Sequence, residues 1–234
     1  MTTIPANLQA VNARIAAACA AAGRDPATVG LLAVSKTWPA ACMREAFAGG
    51  QRAFGESYVQ EAVTKQAALA DLDLEWHFIG PLQSNKTRLV AEHFTWAHSV
   101  ERLKIAERLS DQRLPHLPPL NVCVQVNVSG EASKSGCTPT EVPELCHAVA
   151  ALPRLRLRGL MAIPELTEES ALADSLTLRR FAQVRELRDA LAAEGMMLDT
   201  LSMGMSHDLE AAILEGATIV RVGTAIFGER PTTT

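Results

Sequence analysis

Strand-like and helix-like stretches alternate eight times along this sequence, and few architectures accept that rhythm. The clearest strand is Val122–Val128, whose valines 122, 124, 126 and 128 share one face while Cys123, Gln125 and Asn127 share the other. Seven more strands are predicted at Leu31–Ser35, Arg52–Phe54, Glu75–Ile79, Phe94–His98, Leu157–Ile163, Leu198–Met203 and Thr218–Val222. Helices fall between them, over Ala40–Ala48, Tyr58–Leu69, Ser84–Ala91, Arg102–Leu109, Glu141–Ala151 and Asp208–Leu214. The best-defined helix follows the sixth strand and carries Phe181, Val184, Leu187 and Leu191 at spacings of three, three and four. No helix is predicted after the eighth strand. Ahead of the first strand, Leu8–Ala22 is alanine-rich, free of Gly and Pro, and stops at Gly23, the pattern of a helix with a glycine C-cap. Alternating elements imply a parallel sheet with an α/β fold. Eight units in 234 residues favour a closed (β/α)8 TIM-type barrel. The open doubly wound alternative lacks its usual GxGxxG after the first strand. No linker or shift of composition divides the chain, so a single domain over 1–234, with an N-terminal helix at about 8–22, is expected.

Composition removes several functional classes. Hydrophobic residues make up 48% and charged residues 21%, which suits a packed core and opposes disorder. A net charge of -4 opposes nucleic-acid binding, and no apolar run reaches the roughly 20 residues of a membrane span. The N-terminus MTTIPANLQA lacks the basic start and apolar centre of a signal peptide. Five scattered cysteines (19, 42, 123, 137 and 146) form no CxxC pair, which points to reduced thiols and a cytoplasmic protein. The six histidines show neither HxH nor HExxH spacing, so no metal site is expected.

Barrels of this kind work at the C-terminal ends of their strands, so the residues just past each strand carry the chemistry. The stretch LLAVSKTWP (31–39) ends its strand on Lys36, and alternation puts Leu32, Val34 and Lys36 on one face. A lone lysine there is an ordinary solvated charge; facing a core, its amine is favoured in the neutral, nucleophilic form. GESY, GPLQSNK and NVSGEASKSG follow strands two, three and five, and SMGMS and GTAIFG follow strands seven and eight. The last two loops combine glycines with hydroxyls, as an anion site requires, and phosphate sites in these barrels are built from those loops. Ser206 stands where it could cap the helix that begins near Asp208, and Gly223-Thr224 offers an amide and a hydroxyl. In Ile219-Val220-Arg221-Val222, alternation turns Arg221 away from the two valines and into the barrel, where a guanidinium needs a partner. That partner is either an acid such as Glu56 or Glu165, or a ligand's ring or carboxylate. An amine, an inward arginine and a phosphate loop together fit pyridoxal 5'-phosphate, an aldehyde that carries both a phosphate and a ring nitrogen.

The motifs AVSKT (33–37), FGESYVQEA (54–62), WHFIGPLQSNK (76–86), NVSGEASKSG (127–136), RGLMAIP (158–164), LSMGMSHDLEAAI and RVGTAIFGER occur in order over about Leu31 to Arg230. In this ordered set the chain resembles the pyridoxal-phosphate homeostasis proteins, relatives of the alanine racemase N-terminal barrel. The resemblance implies that Lys36 carries the cofactor as a Schiff base. It also implies that Ser206, Gly223 and Thr224 bind the phosphate, that Arg221 meets the pyridine nitrogen, and that Met203 lines the site of the ring. One departure is Ser57, where the family commonly has Asn.

The same resemblance implies a role in intracellular homeostasis of the cofactor, by buffering or delivery, without an established catalytic reaction. An arginine at the pyridine nitrogen keeps that atom unprotonated and weakens the ring as an electron sink. Racemases of the related fold take a second base from a β-rich domain, which is not expected in a chain ending at Thr234, whose sole tyrosine is Tyr58. The expected protein is therefore a non-catalytic monomer whose partners are the cofactor and the apoenzymes that need it. Lys134, in the loop after strand five, is a candidate second amine for transfer, against a plain reading as a solvated charge. The alternative is a low-activity pyridoxal-phosphate-dependent amino-acid racemase. A Schiff-base aldolase fits the lysine's position and Arg221 less well, and a pure scaffold explains neither Arg221 nor the paired loops.

Overall fold

Each strand pairs in parallel with the next in sequence, and the eighth returns to the first, so the sheet has no edge. The structure is a computed structural model and describes residues 3–130, 135–164 and 171–229. Its strands are β1 (Gly30–Val34), β2 (Ala53–Glu56), β3 (Glu75–Phe78), β4 (Trp96–Val100), β5 (Leu120–Val126), β6 (Leu155–Ala162), β7 (Thr200–Ser202) and β8 (Ile219–Val222). Closure is explicit in the register, where Gly30, Leu31, Leu32 and Ala33 lie beside Ile219, Val220, Arg221 and Val222. The predicted (β/α)8 barrel is the observed fold.

The helices are α1 (Ile4–Ala21), α2 (Ala40–Ala48), α3 (Val59–Ala68), α4 (Thr87–His93), α5 (Leu103–Gln112), α6 (Val142–Ala150), α7 (Ala171–Ala193), α8 (Leu209–Leu214) and α9 (Thr224–Phe227). Helix α2 has the predicted bounds. Helix α1 starts earlier than the sequence suggested, because Thr3 caps it and Pro5 sits in its first turn, where a missing N–H costs nothing. Its end is as predicted: Gly23 adopts φ +64, beyond the Ala22 cap. Among the described residues the sequence did not suggest the short α9, nor a single 3-10 turn at Pro26–Thr28.

Alternation sorts the strand residues into two layers. Val122, Val124 and Val126 join Phe54, Leu160, Leu201 and Val220 in the apolar shell beneath the helices, with Phe181, Val184 and Leu191 of α7 packed against them. Each such fully buried side chain contributes about 2 kcal/mol. The inner face differs. Cys123 meets Trp96 and Met161 in a small separate cluster, and the buried polar side chains of His77 and His98 lie beside it in the lumen. Leu32 belongs to this inner face, since a Cβ on Gly55 would lie 3.2 Å from it and from Ile79. Lys36, two alternations further along, is thus aimed at the mouth, as its spacing predicted.

Helix α1 lies against α2, α8 and α9 and braces the side where the barrel closes. Asn7 donates its side-chain N–H to the Ile226 carbonyl at 2.8 Å, and Arg14 forks onto Glu210 at 2.8 and 3.0 Å. The loops after β7 and β8 are therefore held from behind. Among the described residues no helix is long and apolar enough to cross a membrane, and no group of three His, Cys, Asp or Glu could hold a metal ion.

Candidate functional site

A cavity of about 210 Å³ opens at the C-terminal mouth of the barrel, with Lys36, Ser57, Ser206, Arg221, Gly223 and Thr224 in its wall. Five of the six residues predicted for the site thus meet at one place. Met203 does not. It follows Ser202 by one residue, so it faces the opposite way and is buried in the apolar shell, while Met205 lines the cavity instead. Tyr58 is 55% exposed and stands outside the cavity wall. Lys134 and Glu165 lie outside the described residues.

The loop after β7 takes its shape from two residues. Gly204 has φ +93, and a Cβ there would come within 2.6 Å of the Ala212 methyl, so only glycine fits. Asp208, not Ser206, is the N-cap residue of α8, and its carboxylate turns back to accept the Met205 N–H. The expected capping role of Ser206 is corrected on that ground. Ser206 is fixed instead through its carbonyl, which accepts a 3.0 Å bond from Arg14 of α1, and the residue lines the cavity. On the neighbouring strand, a Cβ on Gly223 would press within 3.1 Å of the Val34 carbonyl, so glycine keeps β8 close to β1 beside Lys36.

Arg221 is 4% exposed, and no carboxylate among the described residues lies within ion-pair distance of it. Glu56, one suggested partner, is engaged elsewhere. The guanidinium is held by Nη2 on the Ala162 carbonyl at 2.8 Å and by Nη1 on the carbonyl and, at 2.8 Å, the hydroxyl of Ser202. Burial pushes its pKa down to about 10, against the pull of the Asp208 charge, so it remains a cation at neutral pH.

Behind Arg221 a chain of hydrogen bonds runs through the lumen. Ser202 Oγ lies 2.7 Å from His98 Nδ1, His98 Nε2 lies 2.9 Å from His77 Nδ1, and His77 Nε2 lies 2.9 Å from Glu75 Oε1. The two ends decide the sense of every link. A guanidinium only donates, so Ser202 accepts from it and passes its own proton to His98, whose other nitrogen donates to His77, which donates to Glu75. Both imidazoles are neutral in this arrangement and protonated at Nε2.

Burial holds both imidazoles below their ordinary value of 6.5, His98 well below it. The unfolded chain therefore takes up protons near that pH that the folded barrel refuses. Stability is complete above about pH 6.5 and falls as the pH drops below it, by up to about 1.4 kcal/mol per unit for each histidine. Urea midpoints measured at about pH 7.5 and about pH 5.5 should fall accordingly, and His98→Gln should flatten the slope. Equal midpoints would mean that the folded lumen holds an extra proton.

These lumen histidines went unread in the sequence, although a signal was present. His77 stands two residues after Glu75, and His98 two after Trp96, the spacing that keeps side chains on one face of a strand. His207 at the cavity rim had no such signal. The resulting site offers a primary amine, a fixed cationic donor and two loops of glycines and hydroxyls. It suits a small anionic ligand with a carbonyl group at one end and an acceptor nitrogen at another.

The model of the alanine racemase N-terminal domain matches residues 6–231, and the chain belongs to that family. The pyridoxal phosphate homeostasis protein of Pseudomonas aeruginosa is 67% identical over 230 residues, 98% of this chain and 97% of that one. Its namesake in Escherichia coli is 54% identical over 238 residues, with 98% of each chain covered. Within the family, then, the chain stands among the pyridoxal phosphate homeostasis proteins. PipY of Synechococcus elongatus, solved with PLP bound, is 43% identical with a TM-score of 0.79, covering 92% of this chain and all of that one. Alanine racemase from Corynebacterium glutamicum, 19% identical with a TM-score of 0.67 over 97% of this chain and 62% of its own, shares the fold.

Proposed function

We propose that the protein binds pyridoxal 5'-phosphate at this mouth, covalently through Lys36, and serves in cytoplasmic homeostasis of the cofactor as a monomer that holds and releases it without catalysis. The observation that carries the reading is the buried Arg221 donor, which shares one cavity with the Lys36 amine and the two phosphate-type loops. The names of the relatives and the PLP-bound PipY support it. When bound, the cofactor supplies an aldehyde that condenses reversibly with a primary amine, releasing water.

The chain's own residues do the rest. Lys36 holds the aldehyde end. The Ser206 and Thr224 hydroxyls and the Gly223 backbone hold the phosphate, with glycine letting the main chain approach. Arg221, fixed by Ser202 and Ala162, presents N–H groups and no acceptor, so a ring nitrogen facing it stays unprotonated. An unprotonated ring draws electrons weakly, which suits storage over Cα chemistry. The runner-up, a weak racemase, has its foothold in His207, an exposed imidazole at the rim.

Adding the cofactor to the purified protein should raise a visible absorption band, while L-alanine in deuterated buffer keeps its Cα proton. Exchange of that proton at an enzymatic rate would overturn the carrier reading and establish the racemase.

A further inference from the structure

We propose that Glu56, Lys65 and Glu61 form a clamp, buried at Glu56 and Lys65, that sets the backbone on both sides of Lys36 and so presents its amine to the cavity. The proposal rests on the cofactor reading above and names the positioning residues of that same site.

Thr37 is the starting point. Among the described residues it is the one non-glycine with a positive φ, at 70°. For a β-branched residue this conformation costs roughly 1–3 kcal/mol and persists only where its surroundings enforce it. The enforcing contact is a 2.6 Å bond from the Thr37 N–H to Glu61 Oε1. On the other side of Lys36, the Ser35 carbonyl accepts a 2.8 Å bond from Lys65 Nζ, and the Ser35 hydroxyl donates to Glu56 Oε1 at 2.7 Å.

One ammonium joins these contacts. Lys65 Nζ lies 2.7 Å from Glu56 Oε1, 2.6 Å from Glu61 Oε1 and 2.8 Å from the Ser35 carbonyl, which accounts for all three of its protons. The Lys65 and Glu56 side chains are 6% and 0% exposed, and Glu61 is 30% exposed. Burying such a pair gains little over apolar residues of the same size, because desolvation offsets the attraction. Burial in fact pushes the Glu56 carboxyl above its ordinary value despite Lys65 beside it. Stability therefore does not account for the cluster. Its members grip the peptide before Lys36 and the peptide after it, so what they fix is the direction of the side chain between. Capture of an aldehyde depends on that direction, and a misplacement of about 1 Å can cost a hundredfold.

The test uses Glu61→Ala, at the partly exposed end of the clamp, and the double variant Thr37→Gly/Glu61→Ala, since glycine takes φ +70 without strain. In the protein free of cofactor, the Thr37 amide should be protected from hydrogen exchange in wild type and unprotected in Glu61→Ala. With pyridoxal 5'-phosphate added, Glu61→Ala should form the visible band about tenfold more slowly than wild type. The double variant should recover most of that rate, with urea midpoints reporting the folded fraction throughout. A Glu61→Ala rate within about twofold of wild type overturns the proposal, and so does a double variant no faster than Glu61→Ala. A wild-type protein that gives no band at all sinks the cofactor reading itself, and the clamp with it.

Discussion

Replacing Lys36 by alanine should abolish the visible band that added pyridoxal 5'-phosphate gives the wild-type protein. Lys36 is the amine that β1 delivers into the cavity, and the face it shares with Leu32 and Val34 opens on that mouth. The change removes the nucleophile and leaves Arg221 and the loops at 206 and 223–224 in place. Weak non-covalent binding should therefore survive, seen as quenched fluorescence of Trp38 in the cavity wall, with affinity reduced at least about tenfold. Because Lys36 is only half-buried, the fold should withstand the change. Absorption titrations of the two proteins, side by side, make the measurement. A band persisting in Lys36→Ala would assign the chemistry to another amine and overturn the placement of the site.

Gly159→Ala should be the most damaging single methyl in the barrel. A Cβ at that position would sit 1.7 Å from the Thr200 carbonyl oxygen, well inside contact distance, and the obstacle is main chain that no rotamer can move. Gly159 pairs with Thr200 in the β6–β7 ladder, so the strands must separate or slip. Overpacking of this kind costs about 3 kcal/mol or more. The damage would also reach the mouth, because Ala162 of β6 and Ser202 of β7 both hold Arg221. Cofactor binding should therefore fall together with the urea midpoint. A variant that folds with wild-type stability would show that β6 and β7 can part without cost.

Much of this was legible in the sequence because it depends on local period. Alternation alone turned Lys36 and Arg221 inward, and glycine with hydroxyl residues after β7 and β8 marked the phosphate-type loops. Met203 is placed at the ring by the resemblance and not by alternation; one residue past Ser202, it falls in the shell and not in the lumen. Ser206 lost its capping role to Asp208 because two candidate caps stood two residues apart and only the loop's geometry chooses between them. Lys65 looked like any helical charge. Its contacts with Ser35 and Glu56 span 30 and 9 residues, and no local pattern announces them.

The relay from Arg221 to Glu75 also gives the barrel an electrical polarity. Its cation lies at the mouth and its carboxylate at the far end of the lumen, and every intervening bond points the same way. The two end charges act as a dipole along the barrel axis with its positive end toward the opening, and the neutral links between them, whose O–H and N–H ends face Glu75, oppose it only weakly. An anion approaching from solvent is drawn inward before any side chain touches it, most strongly at low ionic strength. On the proposed cofactor reading, the charges at the two ends of the lumen thereby take part in selecting what enters.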